Sequence, residues 1–337
     1  MRHLLSLREL SAEEIETLLD AANAYAEHSG LAAPALRGRT VATLFYEPST
    51  RTEISFELAA KRLSADVVRC DVDRSSVCKG ESLLDTVRTL EALGADAIII
   101  RHSAAGAPHL ASTVLQAAVV NAGDGMHEHP TQGLLDLLTV RQRLGRIAGL
   151  RIAIVGDIRH SRVARSAAWG FSRLGAKVTL VGPATLLPPD PEALPARCTT
   201  SVEDGLRGAD VVMVLRMQLE RQAGGDVPSV REYAAAYGLT EQLLAKSAPG
   251  AIVMHPGPVN PGIEVRDEVA SGPRSVIAQQ VTNGIFVRMA ALVWALEREL
   301  PFVDSRSSFV DTGTRPTTNG QFVRERSAVP ASAADTE

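Results

Sequence analysis

Short apolar runs alternate with helical patterns along this chain, and the alternation occurs twice. A helix opens the first series, because Ser11 followed by Glu14 fits a capping box and Ile15, Leu18, Leu19 and Ala22 recur at helical spacing. Thr40–Phe45 then reads as a buried strand, and Ile54, Leu58 and Leu63 mark a helix after it. Val67-Val68, Ala97–Ile100 and Val119-Val120 are further strand candidates, and Leu134–Leu144 is helical again. The pattern restarts at Arg151. Ile152–Val155, Val178–Val181, Val211–Leu215 and Ile252–Met254 are its strands, with a helix expected from Ser161. Strands that alternate with helices pair in parallel. The fold class is therefore α/β: two lobes, each a mostly parallel sheet flanked by helices, joined by long helices.

Size agrees, since 337 residues at about 150 per domain suggest two. A composition of 45% hydrophobic and 22% charged residues supplies two sizeable cores. We expect a first domain over 1–145, a second over 146–284, and a closing helix (285–304, within the apolar run Gln279–Leu296) that packs back on the first. From about Ser305 the apolar periodicity stops, so 305–337 reads as a flexible tail. A net charge of -4 gives no reason to expect nucleic acid or an anionic membrane as partner. No apolar run reaches membrane-spanning length, and Met1–Leu10 lacks the stretch of a signal peptide. Cys70, Cys78 and Cys198 form no C-x-x-C pair, which indicates neither a disulfide framework nor a zinc site and makes a reducing cytoplasm the expected location.

Chemistry-bearing residues gather at the ends of the expected strands. Ser49-Thr50-Arg51-Thr52 lies between a strand and a helix, where unpaired backbone N–H groups suit an anion and three hydroxyls and a guanidinium add donors matched to phosphate. Plain N-capping by Ser49 or Thr50 explains one hydroxyl but not the tetrapeptide. Arg101-His102 follows a strand end, where a surface salt bridge is the competing reading. In His127-Glu-His-Pro-Thr-Gln132 the H-x-H spacing raises a metal-dependent amidohydrolase, but the further metal-ligand motifs of such a site are missing. His129 suits a neutral donor to a carbonyl oxygen and Gln132 an amide beside it, while His127 reads as a structural histidine. Gly156–Arg162 opens a helix as a dinucleotide-binding turn would, yet lacks the G-x-G-x-x-G glycines. A nicotinamide-dependent oxidoreductase therefore rests on Ile152–Asp157 alone. Arg216-Met-Gln218 and His255-Pro-Gly-Pro258 end two later strands, each with a plain loop as its alternative.

In this order, these pieces resemble the aspartate/ornithine carbamoyltransferase family over almost all the chain outside the tail. Ser75–Ser82 is similar to that family's mobile loop, which enters a neighbouring subunit's active site. The family's ornithine branch carries a His-Cys-Leu-Pro loop and a Ser-Met-Gly segment; His255–Pro258 and Arg216–Gln218 stand here instead and point to the aspartate branch. Two cationic forks also suit a dicarboxylate better than ornithine. The resemblance implies that Ser49, Thr50, Arg51, Thr52 and Arg101 hold the phosphate of carbamoyl phosphate with Ser75 and Lys79 of the adjacent subunit. It gives Thr52, Arg101 and His129 to the carbamoyl oxygen, and Gln132, Gly257 and Pro258 to the carbamoyl amide. Arg162 and Lys79 then take the α-carboxylate of aspartate, and Arg216 and Gln218 the β-carboxylate. Glu47 is expected to meet Arg162 or Arg221 on domain closure. The resemblance further implies a homotrimer with shared sites, pyrimidine biosynthesis, and no metal or cofactor. Regulatory or dihydroorotase-like chains are compatible partners; transfer to another amino acid such as ornithine, or a non-catalytic assembly role, is the alternative.

Overall fold

The computed structural model describes residues 1–28, 34–72, 80–218, 229–260 and 262–298. Helix α1 (Ala12–Glu27) starts where the sequence places it: Ser11 Oγ accepts from the Glu14 N–H, and the Glu14 carboxylate accepts in return from the Ser11 N–H. The first sheet contains β1 (Thr40–Phe45), β2 (Asp66–Cys70), β3 (Ala97–His102) and β4 (Ala118–Asp124). All pairings are parallel, in the order β2-β1-β3-β4. The second sheet contains β5 (Arg151–Val155), β6 (Lys177–Val181), β7 (Arg197–Thr199), β8 (Val211–Val214) and β9 (Ile252–Met254), again parallel, in the order β7-β6-β5-β8-β9.

Both faces of each sheet are covered, which explains continuous apolar strands. Ala97 and Ile99 of β3 enter one core while Ile98 and Ile100 enter another. In β5, Ile152 and Ile154 join that first core and Ala153 and Val155 a third. The first core runs through both lobes. It includes Leu137 of α5 (Pro130–Leu144), Phe171 of α6 (Arg162–Arg173) and Leu292 of α11 (Ile277–Ala295). Helix α11 packs on α1, α5 and α2 (Thr50–Arg62) of the first lobe, and α5 packs on α6 of the second. Shorter helices carry surface connections: α3 (Leu83–Ala92), α4 (Ala107–Ser112), α7 (Val202–Leu206), α8 (Val230–Tyr237), α9 (Glu241–Ser247) and α10 (Asp267–Ala270). Among the described residues, no helix is long and apolar enough to cross a membrane.

Several details differ from the sequence reading: α8 and α9 were not expected, the closing helix expected over 285–304 belongs to α11 and ends at Ala295, and the expected tail (305–337) lies outside the described residues. Helix α5 begins at Pro130 rather than Leu134, because proline at the first helical position needs no N–H partner and His129 serves as N-cap. The three-residue strand β7 was too short to carry periodicity.

Strand order fixes where ligands bind. In the first sheet the chain leaves β1 towards β2 and returns on the other side as β3; in the second it leaves β5 towards β6 and returns as β8. Each reversal opens a crevice at the carboxyl ends of the diverging strands. The loops from both crevices line one cleft of about 1040 Å³.

Candidate active site

The first-lobe wall of the cleft starts at the end of β1. Ser49 is the N-cap of α2, but its side chain makes no capping bond; its hydroxyl donates to Thr52 Oγ1 at 3.0 Å. Capping therefore does not account for the tetrapeptide, and Ser49, Thr50, Arg51 and Thr52 all line the cleft. Burial, then the nearby Arg216 charge, lowers the Arg51 pKa.

Three helices aim their N-termini here. The residues that start or cap α2, α5 and α6 (Thr50, His129 and Arg162) line the same cleft. Unpaired N–H groups and three positive dipole ends thus converge on one volume, a field that favours a polyanion.

Glu47 joins the walls. Its Oε1 accepts from Arg101 Nη2 at 2.9 Å and from Arg162 Nη2 at 2.5 Å, and its Oε2 accepts from Arg162 Nη1 at 3.1 Å. Arg162, on the first turn of α6, belongs to the second lobe, and Ser161 caps that helix by accepting from the Ala164 N–H. Arg101 also donates to the Ala122 carbonyl at 3.1 Å. The two arginines converge above Gly123, whose φ of +111° suits glycine; a Cβ there would lie 3.0 Å from both Arg101 Nη1 and Arg162 Nε.

His129 is almost fully buried, its N–H donating to Ser166 Oγ at 2.9 Å and its Nδ1 lacking a partner. Burial, then the charges of Arg101, Arg288 and Arg162, hold its pKa well below the usual histidine range. The ring is neutral near pH 7 and has one N–H to give. The neighbouring Glu128 is buried too, accepting from Leu7 N–H and Ser166 Oγ at 2.8 Å each and from Arg8 N–H at 3.4 Å. It pins the turn before α5 between the N-terminal segment and α6.

Gln132, on the first turn of α5, donates its amide to Asp136 Oδ1 at 3.0 Å. Its amide oxygen is thereby left as the acceptor. Asp136 is fully buried, and burial raises its pKa to about 7 against the opposing hydrogen bonds of Gln280 and Gln132. Gln280 Nε2 reaches the same Oδ1 at 2.8 Å, while Gln280 Oε1 accepts from the His255 N–H at 3.0 Å. The Gly257 N–H donates to His255 Nδ1 at 2.8 Å, so one chain of bonds links Gln132 to the 255–258 loop.

Arg101, Arg216, Gln218, Gly257 and Pro258 also line the cleft, so every sequence-selected site residue that is described meets there. Ser75, Lys79 and Arg221 lie outside the described residues. Sequence reasoning missed Asp136, Gln280 and Arg288. Arg288 lines the cleft from α11, stacks over Phe56 at 5.0 Å and donates to the Gly284 carbonyl; burial and Arg101, opposed by Asp136, pull its pKa down to about 9. A lone arginine in an apolar helix was the available signal. His127 faces Asp124 Oδ2 at 3.1 Å and does not line the cleft.

Comparison with known proteins places these residues in a family context. The model of the aspartate/ornithine carbamoyltransferase carbamoyl-P binding domain matches residues 2–142, and that of the Asp/Orn binding domain matches 148–295. A protein of Pelotomaculum thermopropionicum named aspartate carbamoyltransferase catalytic subunit is 57% identical over 294 residues, covering 86% of this chain and 95% of its own length. One of the same name from Moorella thermoacetica is 55% identical, with 86% and 96% covered. Among solved structures, aspartate transcarbamoylase from Trypanosoma cruzi, in complex with carbamoyl aspartate and phosphate, superimposes with a TM-score of 0.79 at 33% identity, over 87% of this chain and 95% of that one. Ornithine carbamoyltransferase from Pyrococcus furiosus gives a TM-score of 0.79 at 27% identity, over 87% and 96%.

Proposed function

The chain belongs to the aspartate/ornithine carbamoyltransferase family, and from that premise we propose that it transfers the carbamoyl group of carbamoyl phosphate to the amine of L-aspartate, releasing N-carbamoyl-L-aspartate and phosphate. The observation that carries this reading is the single cleft onto which both switch points open, with Ser49–Thr52 on one wall and Arg162, Arg216 and Gln218 on the other.

Residues 1–145 with the closing helix bind carbamoyl phosphate, and 146–284 bind aspartate. Ser49, Thr50, Arg51, Thr52 and Arg101 hold the phosphate where the α2 N–H groups point. Thr52, Arg101 and the neutral His129 donate to the carbamoyl oxygen, whose charge grows as the amine attacks. Gln132 accepts from the carbamoyl NH2, with Gly257 and Pro258 closing that side. Arg162 takes the α-carboxylate, and Arg216 and Gln218 take the β-carboxylate. The C–N bond forms as the C–O bond to phosphate breaks, and the departing phosphate accepts the amine proton. No protein nucleophile takes part; positioning supplies about 7–11 kcal/mol of such a barrier.

Ser75 and Lys79 complete the site from an adjacent subunit in a homotrimer, Lys79 also reaching the α-carboxylate. Glu47 holds the lobes together, aided by Arg221. The reaction belongs to pyrimidine biosynthesis in the cytoplasm. Phosphate release from carbamoyl phosphate, measured in parallel with aspartate and ornithine, tests the reading. Release is expected with aspartate; turnover with ornithine alone, or with neither, overturns it.

A further inference from the structure

The turn that delivers His129 also carries a second group of polar side chains, none of which lines the cleft. Asp124 ends β4, His127 follows it by three residues, and His109 comes from α4. One nitrogen or oxygen from each lies within 4.8 Å of the others. His127 Nδ1 stands 3.1 Å from Asp124 Oδ2. That contact is a hydrogen bond, and because ligand atoms bound tetrahedrally at about 2.0–2.1 Å from an ion stand roughly 3.3 Å apart, an ion can take the place of the shared ring hydrogen with little movement of either side chain.

The His109 ring is prepared from behind. Glu9 Oε1 lies 3.2 Å from its Nε2, so the carboxylate holds the ring hydrogen at Nε2 and leaves a bare lone pair on Nδ1. That Nδ1 is buried and has no hydrogen-bond partner. A carboxylate on the far nitrogen is what orients a metal-bound imidazole and raises its basicity. Asp124 is fixed as well: its Oδ1 accepts from Asn121 Nδ2 at 2.9 Å and the Glu128 N–H at 3.1 Å, and its Oδ2 from the Gly106 N–H at 2.7 Å. Asp124 is buried while both histidines are partly exposed, so a hydrated ion has a way in.

We propose that His109, Asp124 and His127 form a binding site for a divalent transition cation, with Glu9 as the carboxylate behind His109. Two imidazoles and one carboxylate suit Zn2+ or Co2+ better than Mg2+ or Ca2+, and three protein ligands leave a fourth position for water. The cation would tie α4 to the β4–α5 turn two residues before His129. The sequence alone did not raise this trio, because His109 and His127 belong to different elements that meet only in the fold.

Calorimetric titration of the chelator-treated full chain with ZnCl2 tests the site, with the Co2+ absorption spectrum as a second readout. We expect one Zn2+ per chain and a visible Co2+ spectrum without thiolate charge-transfer bands. Affinity should fall at least tenfold in His109→Ala and in His127→Ala, and about tenfold in Glu9→Gln, an exposed change that leaves the fold alone. No Zn2+ binding by the wild type, equal affinity in His109→Ala, or thiolate bands that vanish in Cys70→Ser or Cys198→Ser would overturn the proposal.

Discussion

Asp136 offers a test of how the carbamoyl amide is recognised. Its Oδ1 accepts from both Gln132 and Gln280, and its Oδ2 has no partner. Asparagine has the same shape and can keep an oxygen at the Oδ1 position while its nitrogen takes the partnerless one. Alanine removes the acceptor and frees the Gln132 amide to turn. Above its raised pKa of about 7, at pH 8, Asp136 is ionised. A hydrogen bond to a charged group contributes about 1.5–3 kcal/mol, and 1.36 kcal/mol is a factor of ten in rate, so at that pH Asp136→Ala should lower kcat/KM for carbamoyl phosphate roughly 10–150-fold. Asp136→Asn should stay within about threefold of wild type, a shift below ~1 kcal/mol. Phosphate release at saturating aspartate and varied carbamoyl phosphate gives both values. Stability adds an independent readout. Burial raises the Asp136 pKa to about 7, above its ordinary carboxylate value of 3.8. Between those two values the folded chain keeps a proton that the unfolded chain has lost, so this group's contribution becomes less favourable as pH rises through that window and then levels off. Asp136→Asn should therefore gain thermal stability relative to wild type from pH 4 to pH 7.5. An alanine variant within twofold of wild type, or an asparagine variant as impaired as alanine, refutes the positioning role.

In the proposed mechanism His129→Ala removes an oxyanion donor, so it should raise the barrier by about 3–4 kcal/mol with the fold intact by circular dichroism; near-normal turnover removes His129 from the chemistry. Because the neutral ring donates, the pH–rate profile between 6 and 8 should show no histidine inflection from this residue, and one abolished by His129→Gln would contradict that. Glu47→Gln releases Arg162 from its two-point hold, so half-saturation for aspartate should rise roughly tenfold, or about 1.4 kcal/mol; an unchanged aspartate curve counts against Glu47 as the link between lobes. Gly123→Ala adds left-handed strain of about 1–2 kcal/mol and displaces Arg101 and Arg162, so steady-state assays should show weaker saturation by both substrates in a folded protein.

The lining of the candidate site was legible in the sequence wherever its residues sit at strand ends, because strand–loop–helix junctions announce themselves locally. Ser49–Thr52, Arg101, His129 and Arg216 are of this kind. Asp136 and Gln280 were not, since they lie 144 residues apart and meet only when α11 folds back over α5. Asp136 did leave one local trace, a carboxylate four residues after Gln132 in the apolar run Leu134-Leu135-Asp136-Leu137-Leu138. The start of α5 was misplaced because Pro130 reads as a breaker unless it stands at the first helical position. Helices α8 and α9 escaped because eight and seven residues give too little periodicity.

The two switch points also bear on how such a protein can diversify. Ser49–Thr52 line the cleft from one sheet and Arg216 and Gln218 from the other, so the loop after β8 can vary while the first sheet's own positions stay as they are, whereas Arg162 is tied to Glu47 across the cleft. Aspartate transcarbamoylase from Trypanosoma cruzi and ornithine carbamoyltransferase from Pyrococcus furiosus each superimpose on this chain with a TM-score of 0.79, so one two-lobed frame serves enzymes named for two different acceptors.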